Sequence, residues 1–519
     1  MTPKIDGLLT RLSILFVAIP YLVFTTCWLN IPSAIGFSGV VLVSLFLVFK
    51  NIHSDTSVDA LFLNQKKSIY WMLGIIIIWI FFSGIGSYTF QNTDHLYRNA
   101  IFRDLVKTPW PVIYKVEGFE GHILDGKTTM MTYYLGYYLP AAALGKIFGF
   151  GFAKFSLFLW TVIGTVLVTY QIGKFLKTFS FKILLLFFGW GTLFFIGALY
   201  KYSFYEVINE QNYLWAGMRL YADSNLGLIY WTFNQSLPAW IIILLIFNQG
   251  SIKNMWFLSS FCFFLSPFAF VGLIPFLLYI SVKDFEGSLA SAADWQKNLK
   301  LHFSFQNLIG AGSVSILNLL YLSTNQAGKF FQLLPNANLK IWIVFILLSW
   351  GLIAVFILPK YKKEPLFWLI VGVLIPLPFF QQGYGIDFPG RVSIPALFLL
   401  MLLVGKYLRE VKTGVLRIAV LAYLAVSAIG HNVIETGRSM AMTGIENISH
   451  NTNFDDVLQA SSTPTLQKMG DALEDIKDEN ICIKDFGTVL NPKNEVIWNY
   501  MADIEHSYFY KWFAKKPTQ

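Results

Sequence analysis

Between Asn92 and Pro111 the chain reads NTDHLYRNAIFRDLVKTPWP. Two acids, three bases and a histidine fall in this run, directly after an apolar segment that carries no charge. A carboxylate such as Asp94, placed at the edge of an apolar layer, suits transfer chemistry on a lipid-borne substrate, because it can take a proton from an attacking hydroxyl or amine. Cations from other loops suit the phosphate of a leaving lipid. Arg98, Arg103, Lys127 and Arg391 are the candidates for that second duty, Arg391 within DFPGRVSIP (387–395). His95 is a candidate substrate contact, as are Gln235 and Trp240 of WTFNQSLPAW (231–240). Each has a plainer alternative. Asp94 can open a helix and pair with Arg98, since acids favour helix starts. Arg391 can be a snorkelling anchor with Asp387 as its ion-pair partner. Arg98 and Arg103 can meet headgroups, and Gln235 and Trp240 can anchor at an interface. Asp94 and His95 are neighbours in sequence, and two adjacent ligands do not make a metal site. No cofactor is implied, and a divalent metal has no support beyond that pair.

The elements that must position these residues belong to a membrane protein. Of the 519 residues 55% are hydrophobic and 13% charged, with a mean hydropathy of +0.55. A soluble chain carries about a quarter charged residues. Uncharged windows of transmembrane length recur, as in 12–30, 69–90 and 155–173. The alternation of outer-membrane strands is missing, so the expectation is an all-α polytopic fold. The net charge of +9 needs no nucleic-acid partner, because basic cytoplasmic loops supply it. Cys27 and Cys262 sit in apolar runs and Cys482 alone in a polar one, so no disulfide framework is implied. The apolar run after Lys4 and Arg11 lacks a small-residue cleavage site and reads as an uncleaved first span.

Basic residues mark cytoplasmic loops. The clearest clusters are Lys50 with Lys66 and Lys67; Lys174, Lys177 and Lys182; Lys360, Lys362 and Lys363; and Lys406, Arg409 and Lys412. Placing these and the N-terminus inside puts 91–131, 202–236 and 381–391 outside. Parity then requires that 132–149, with four tyrosines and Pro140, lie along the outer interface instead of crossing. The stretch 254–282 is too long for one span and carries Ser266-Pro267 at its centre, so it reads as two short helices meeting at an outer tip. About thirteen spans result. Residues 1–433 form the transmembrane domain and 434–519 a small extracytoplasmic one, with a helix expected from Thr463-Pro464 and a strand over 481–486. No acid or lysine falls mid-span, which argues against proton- or ion-coupled transport.

An early span, an outer loop whose acid appears just past the membrane, and a short loop helix together resemble the GT-C fold of polyprenyl-phosphate-sugar glycosyltransferases. Asp94 occupies the acid position, and 96–107 looks like the first interfacial helix. TYYLGYYLPAAALGKIFG (132–149) looks like the second. Lys127 ahead of Tyr133-Tyr134 is similar to the lysine-before-aromatic-pair pattern of the protein O-mannosyltransferase and aminoarabinose-transferase branch. The resemblance implies an integral enzyme of a bacterial plasma membrane, N-terminus inside and C-terminus outside. It implies an undecaprenyl- or dolichyl-phosphate sugar donor and a lipid, glycan or protein acceptor. Asp94 would be the base and Arg391, with Lys127, the phosphate ligands. The chain departs from that branch in two places: His95, not a second acid, follows Asp94, and no proline pair follows the lysine. The sugar and acceptor are therefore not named by it. A non-enzymatic reading, a lipid or polysaccharide translocase or an assembly partner, stands beside it.

Overall fold

The computed structural model of the protein describes residues 5–52, 54–92, 94–115, 126–201, 203, 220, 222–250, 252–284, 291–325, 331–333, 339–382, 387–449, 481–482 and 500–516. Among these, seven helices are long and apolar enough to cross a membrane: Ile5–Trp28, Ile31–Lys50, Phe150–Leu176, Asn225–Gln249, Leu339–Tyr361, Asp387–Glu410 and Val415–Gly444. An eighth is added if Ala292–His302 and Gln306–Leu322, bent by 50°, make one span. The architecture is helical and fits a multi-pass membrane protein. Thirteen spans of full length are not present among the described residues. Several of the expected ones are short, such as Ile252–Leu265, Pro267–Lys283 and the eight-residue Lys182–Gly189, whereas a straight crossing takes about 20 residues.

Local chemistry sets the breaks. Asn30 caps the second helix through Ser33 N (3.1 Å), and Ser224 caps Asn225–Gln249 through Gly227 N (2.8 Å). Ser266 leaves helical geometry, and Pro267 opens the next helix where its missing N–H costs nothing. Gly149, at φ +90°, separates Leu139–Phe148 from Phe150–Leu176, a backbone position that a side chain would strain. The ten-residue Leu139–Phe148 helix is only about 15 Å long, half a bilayer core.

The two central helices are Asn225–Gln249 and Asp387–Glu410. Of their most apolar 18-residue windows, 94% and 89% is buried, against 28% for Ile31–Lys50 at the rim. Large apolar side chains stand exposed on the rim, among them Ile35, Phe46, Ile418 and Ile429, as a lipid-facing surface requires. The last long helix does not stop at 433, where the sequence places a domain boundary. It runs through a π-helical turn, Val433–Gly437, to Ser449. Glu435 and Arg438 signal an exit from the apolar layer in sequence, but they satisfy each other at 2.8 Å inside the fold, and Trp231 Nε1 donates to Glu435 at 3.0 Å.

The fold also holds short strands that three- and four-residue segments do not announce. In one sheet β1 (Ile113–Lys115), β2 (Thr128–Met131), β5 (Ile481–Cys482) and β6 (Met501–Asp503) lie in the order β5-β1-β2-β6. β1 and β2 are antiparallel (Ile113 opposite Met130), β5 joins β1 in parallel, and β6 joins β2 antiparallel with Met501 opposite Met131. β3 (Phe331–Leu333) pairs with β4 (Phe380–Gln382) in a second sheet. The strand expected over 481–486 is present as β5, its remaining positions lying outside the described residues, as does the helix expected after Thr463.

Charge sorts to two ends. At one end Lys174 meets Asp6 (2.6 Å), Phe179 N donates to Gln65 (2.7 Å), Arg409 to the Leu176 carbonyl (2.7 Å), and Lys360 pairs with Glu410 (3.0 Å). Arg11 reaches the carbonyls of Phe49 and Ile52. All four basic clusters therefore gather on one face of the bundle. The loop sheet and the Asp94 region make up the opposite face.

Candidate functional site

Asp94 opens the helix Asp94–Lys107, its backbone N–H donating to Asn92 Oδ1 (3.2 Å). The approach to it is pinned from two sides. Asn92 Nδ2 donates to the Tyr230 carbonyl (2.9 Å), Phe90 N to Thr443 (2.9 Å), and Ser439 to the Phe82 carbonyl (2.5 Å). The kinked start of the central helix and the last long helix thus fix where the carboxylate stands.

Arg98, one turn on, binds Asp94 Oδ2 through Nη2 at 2.6 Å. Asp94 Oδ1 takes no hydrogen bond among the described residues, and its side chain keeps 39% of its surface open. Arg98 is the reverse, 8% exposed, with Nη1 buried and without an acceptor among the described residues. Its guanidinium also lies 5.7 Å from the centre of the Phe233 ring. A second pair of the same design comes from the other end of the sequence. Asp387 opens its helix, and Arg391 one turn later binds it at 2.9 Å, with side-chain exposures of 54% and 9%. The two pairs converge: Asp94 lies within electrostatic reach of both Asp387 and Arg391, and Arg98 of Arg391. Each pair thus presents an open acid in front of a buried arginine.

Asp94 is accessible yet surrounded by protein, and that loss of water raises its pKa above the usual 3.8; Arg98 pulls the other way, Asp387 raises it further, and Arg391 lowers it. A carboxylate so placed is a stronger base than a free one. His95 is buried against Phe233, ring centroids 6.0 Å apart. Burial and the Arg98 charge push it down to about 3, so it is a neutral imidazole at physiological pH.

Tyrosines complete the surroundings. Tyr137 and Tyr138 are core residues, edge-on to Phe233. The Tyr133 and Tyr134 rings lie tilted against each other, centroids 3.7 Å apart, and remain half-buried, Tyr134 within reach of Asp387 and Arg391. Tyr500 packs edge-on to Tyr133 at 4.8 Å and feels Asp94, Arg98 and Asp387.

Of the residues singled out from sequence, Asp94, His95, Arg98 and Arg391 come together. Arg103 is buried further along the same helix, beside Asp104. Burial lifts Asp104 to about 7, against the pull of the Tyr114 hydroxyl that donates to it at 2.7 Å and of Arg103. Lys127 stands elsewhere: it faces Asp503 at 3.8 Å, across the β2–β6 pairing. Trp240 is fully buried, stacked on Phe398 and edge-on to Phe187, about 10 Å deeper than Phe233 along the helix. Gln235 is buried too and, two positions past Phe233, leaves the helix on the opposite side. Tyr500 escaped the sequence reading. The aromatic density of YMADIEHSYFYKWF (500–513) in an otherwise polar tail was the available signal.

Among the described residues, Asp503, Glu505 and His506 lie close enough to share a metal ion. Both Asp503 oxygens are already engaged, by Glu505 N (2.9 Å) and His506 Nδ1 (2.8 Å), and the Lys127 cation stands beside them. The donor set does not favour a cation there. No family profile, curated protein or solved structure matches this chain.

Proposed function

We propose that the protein is a membrane glycosyltransferase of the GT-C type. It moves a sugar from a polyprenyl-phosphate donor to a lipid, glycan or protein acceptor on the extracytoplasmic face. The observation that carries this reading is the convergence of Asp94 and Arg391, almost 300 residues apart in sequence, on the face opposite the basic clusters. Basic loops mark the cytoplasmic side, so the site belongs to the outer leaflet.

The chemistry follows from the two open acids and two buried arginines. Asp94 Oδ1 takes the proton of the acceptor hydroxyl or amine. The acceptor atom forms its bond to the anomeric carbon as the bond from that carbon to the phosphate oxygen breaks. The phosphate leaves with the electron pair, and the guanidinium forks of Arg391 and Arg98 hold its charge. Direct displacement inverts the anomeric centre. The ion pair with Arg98 holds the carboxylate in line while leaving its second oxygen open. A translocase would instead use a polar path through the bundle, and the central helix from Leu237 to Ile246 is buried and apolar apart from the Trp240 ring nitrogen.

The test is incubation of purified protein with a panel of polyprenyl-phosphate sugars, scoring release of polyprenyl phosphate. Release by wild type and its loss in Asp94→Asn is the expected result. Release that persists within a few-fold in Asp94→Asn removes Asp94 as the base.

A further inference from the structure

The C-terminal segment is built into the Asp94 face. Its strand β6 extends the loop sheet, and Tyr500, just before it, accepts a hydrogen bond from Thr132 N (2.9 Å) through its carbonyl. Asp503 N donates to the Thr324 carbonyl, and Asn325 Nδ2 to that of Thr132 (2.8 Å), tying the sheet to the end of the Ala311–Leu322 helix. The short helix Tyr508–Trp512 then drives Phe509, fully buried, between Phe24 and Tyr321. Finally Asn30 N donates to the Phe513 carbonyl, Asn30 Nδ2 to that of Trp512, and Lys515 N to that of Trp28, each at 2.8–2.9 Å. The position of Tyr500 is thus set by three separate parts of the bundle.

What this latch delivers is an aromatic surface. Tyr133 contacts Tyr134 on one side and Tyr500 on the other, ring to ring, and all three are half-buried, whereas the neighbouring Tyr137 and Tyr138 are closed into the core. Burial, aided by nearby Asp94 and Asp387, keeps the Tyr500 phenol neutral at any physiological pH. Neutral tyrosine rings offer an apolar face and a polar tip, which suits the C–H face and hydroxyls of a pyranose.

We propose that Tyr500 is a specificity-determining residue of the Asp94 site, forming with Tyr133 and Tyr134 the wall against which a pyranose ring rests. The proposal depends on the glycosyl-transfer reading for the identity of its ligand. The ring belongs either to the donor or to the acceptor, and kinetics separates the two.

The experiment uses the full chain in lipid nanodiscs: wild type, Tyr500→Phe, Tyr500→Ala, and Tyr508→Ala as an exposed control on the same segment. Unchanged melting temperatures establish that the latch still holds. With the sugar donor found by the release panel, Tyr500→Ala raises the KM on the order of tenfold. Tyr500→Phe, which keeps the ring, stays within about threefold. Inhibition by bare undecaprenyl phosphate, which lacks the sugar, is unchanged. A rise confined to the acceptor KM assigns the ring to the acceptor. If Tyr500→Ala behaves like Tyr508→Ala, or weakens bare undecaprenyl phosphate equally, the wall is refuted while glycosyl transfer stands. If no panel member is turned over, the transfer reading fails first. A photo-crosslinking phenylalanine at position 500 then decides the wall. An adduct with a sugar-bearing panel lipid, not seen from position 508, keeps it, and no adduct refutes it.

Discussion

Two aspartates, at opposite ends of the bundle, each hold a cation at 2.6 Å: Asp6 with Lys174, and Asp94 with Arg98. Everything else about them differs. Asp6 is 1% exposed, and its oxygens also receive the Tyr170 hydroxyl (2.6 Å) and Asp55 N (2.9 Å). Its capacity as an acceptor is filled by groups from two other segments, the Phe150–Leu176 helix and the loop at Asp55, which makes it a clasp. Among the described residues the Asp94 side chain has one partner and an open oxygen, and on the other side of the pair Arg98 Nη1 is buried with no acceptor. The same ion pair closes a buried clasp where the acid is saturated and leaves an accessible oxygen where it is not.

The largest effect separating the two belongs to Asp94→Asn. Transfer should fall on the order of 10²–10⁴-fold, the usual contribution of a general base, with the melting temperature unchanged. Comparable activity in the variant would erase the distinction. Next is Arg391→Ala, expected to raise the donor KM about 10–100-fold, the scale of a lost charged hydrogen bond, while Arg391→Lys retains part of the function. Asp6→Ala is the mirror experiment. It should destabilise the protein by about 3 kcal/mol, read as a lower melting temperature, with transfer per folded molecule intact, because Lys174 loses its buried partner. The smallest effect is in the pH profile. A base at Asp94 acts only when ionised and its pKa is raised, so on the proposed mechanism activity should fall on acidification at a pH above the ordinary carboxylate range. Arg98 opposes that rise, and Arg98→Gln should therefore move the acid limb to still higher pH. A limb that stays put would show that another group sets it.

The contrast also explains what the sequence discloses. Asp94 and Arg391 stand out in the sequence because each borders a long apolar run, and the structure brings them within electrostatic reach of each other. The break at Ser266-Pro267 is legible because proline at the first turn of a helix is a local, geometric signal. Lys127 is different: a lysine near a membrane edge reads the same whether it serves a phosphate or, as here, faces Asp503 across a sheet. Apart from the strand expected at 481–486, that sheet is not legible beforehand, since strands of three or four residues are too short to show an alternating pattern. Tyr500 inherits the same silence, because long-range contacts, the β6–β2 pairing among them, bring it beside Tyr133. The span count suffers from length, as helices such as Lys182–Gly189 are apolar in composition but too short to cross.

The pairing of β6 with β2 also sets a schedule. Met131 and Met501 lie opposite each other but are made about 370 residues apart, which at ribosomal speeds is on the order of tens of seconds. For that interval the β2 edge stands without its partner while the intervening helices are inserted one after another. The Tyr133–Tyr500 contact beside Asp94 is therefore completed only when synthesis has passed residue 500.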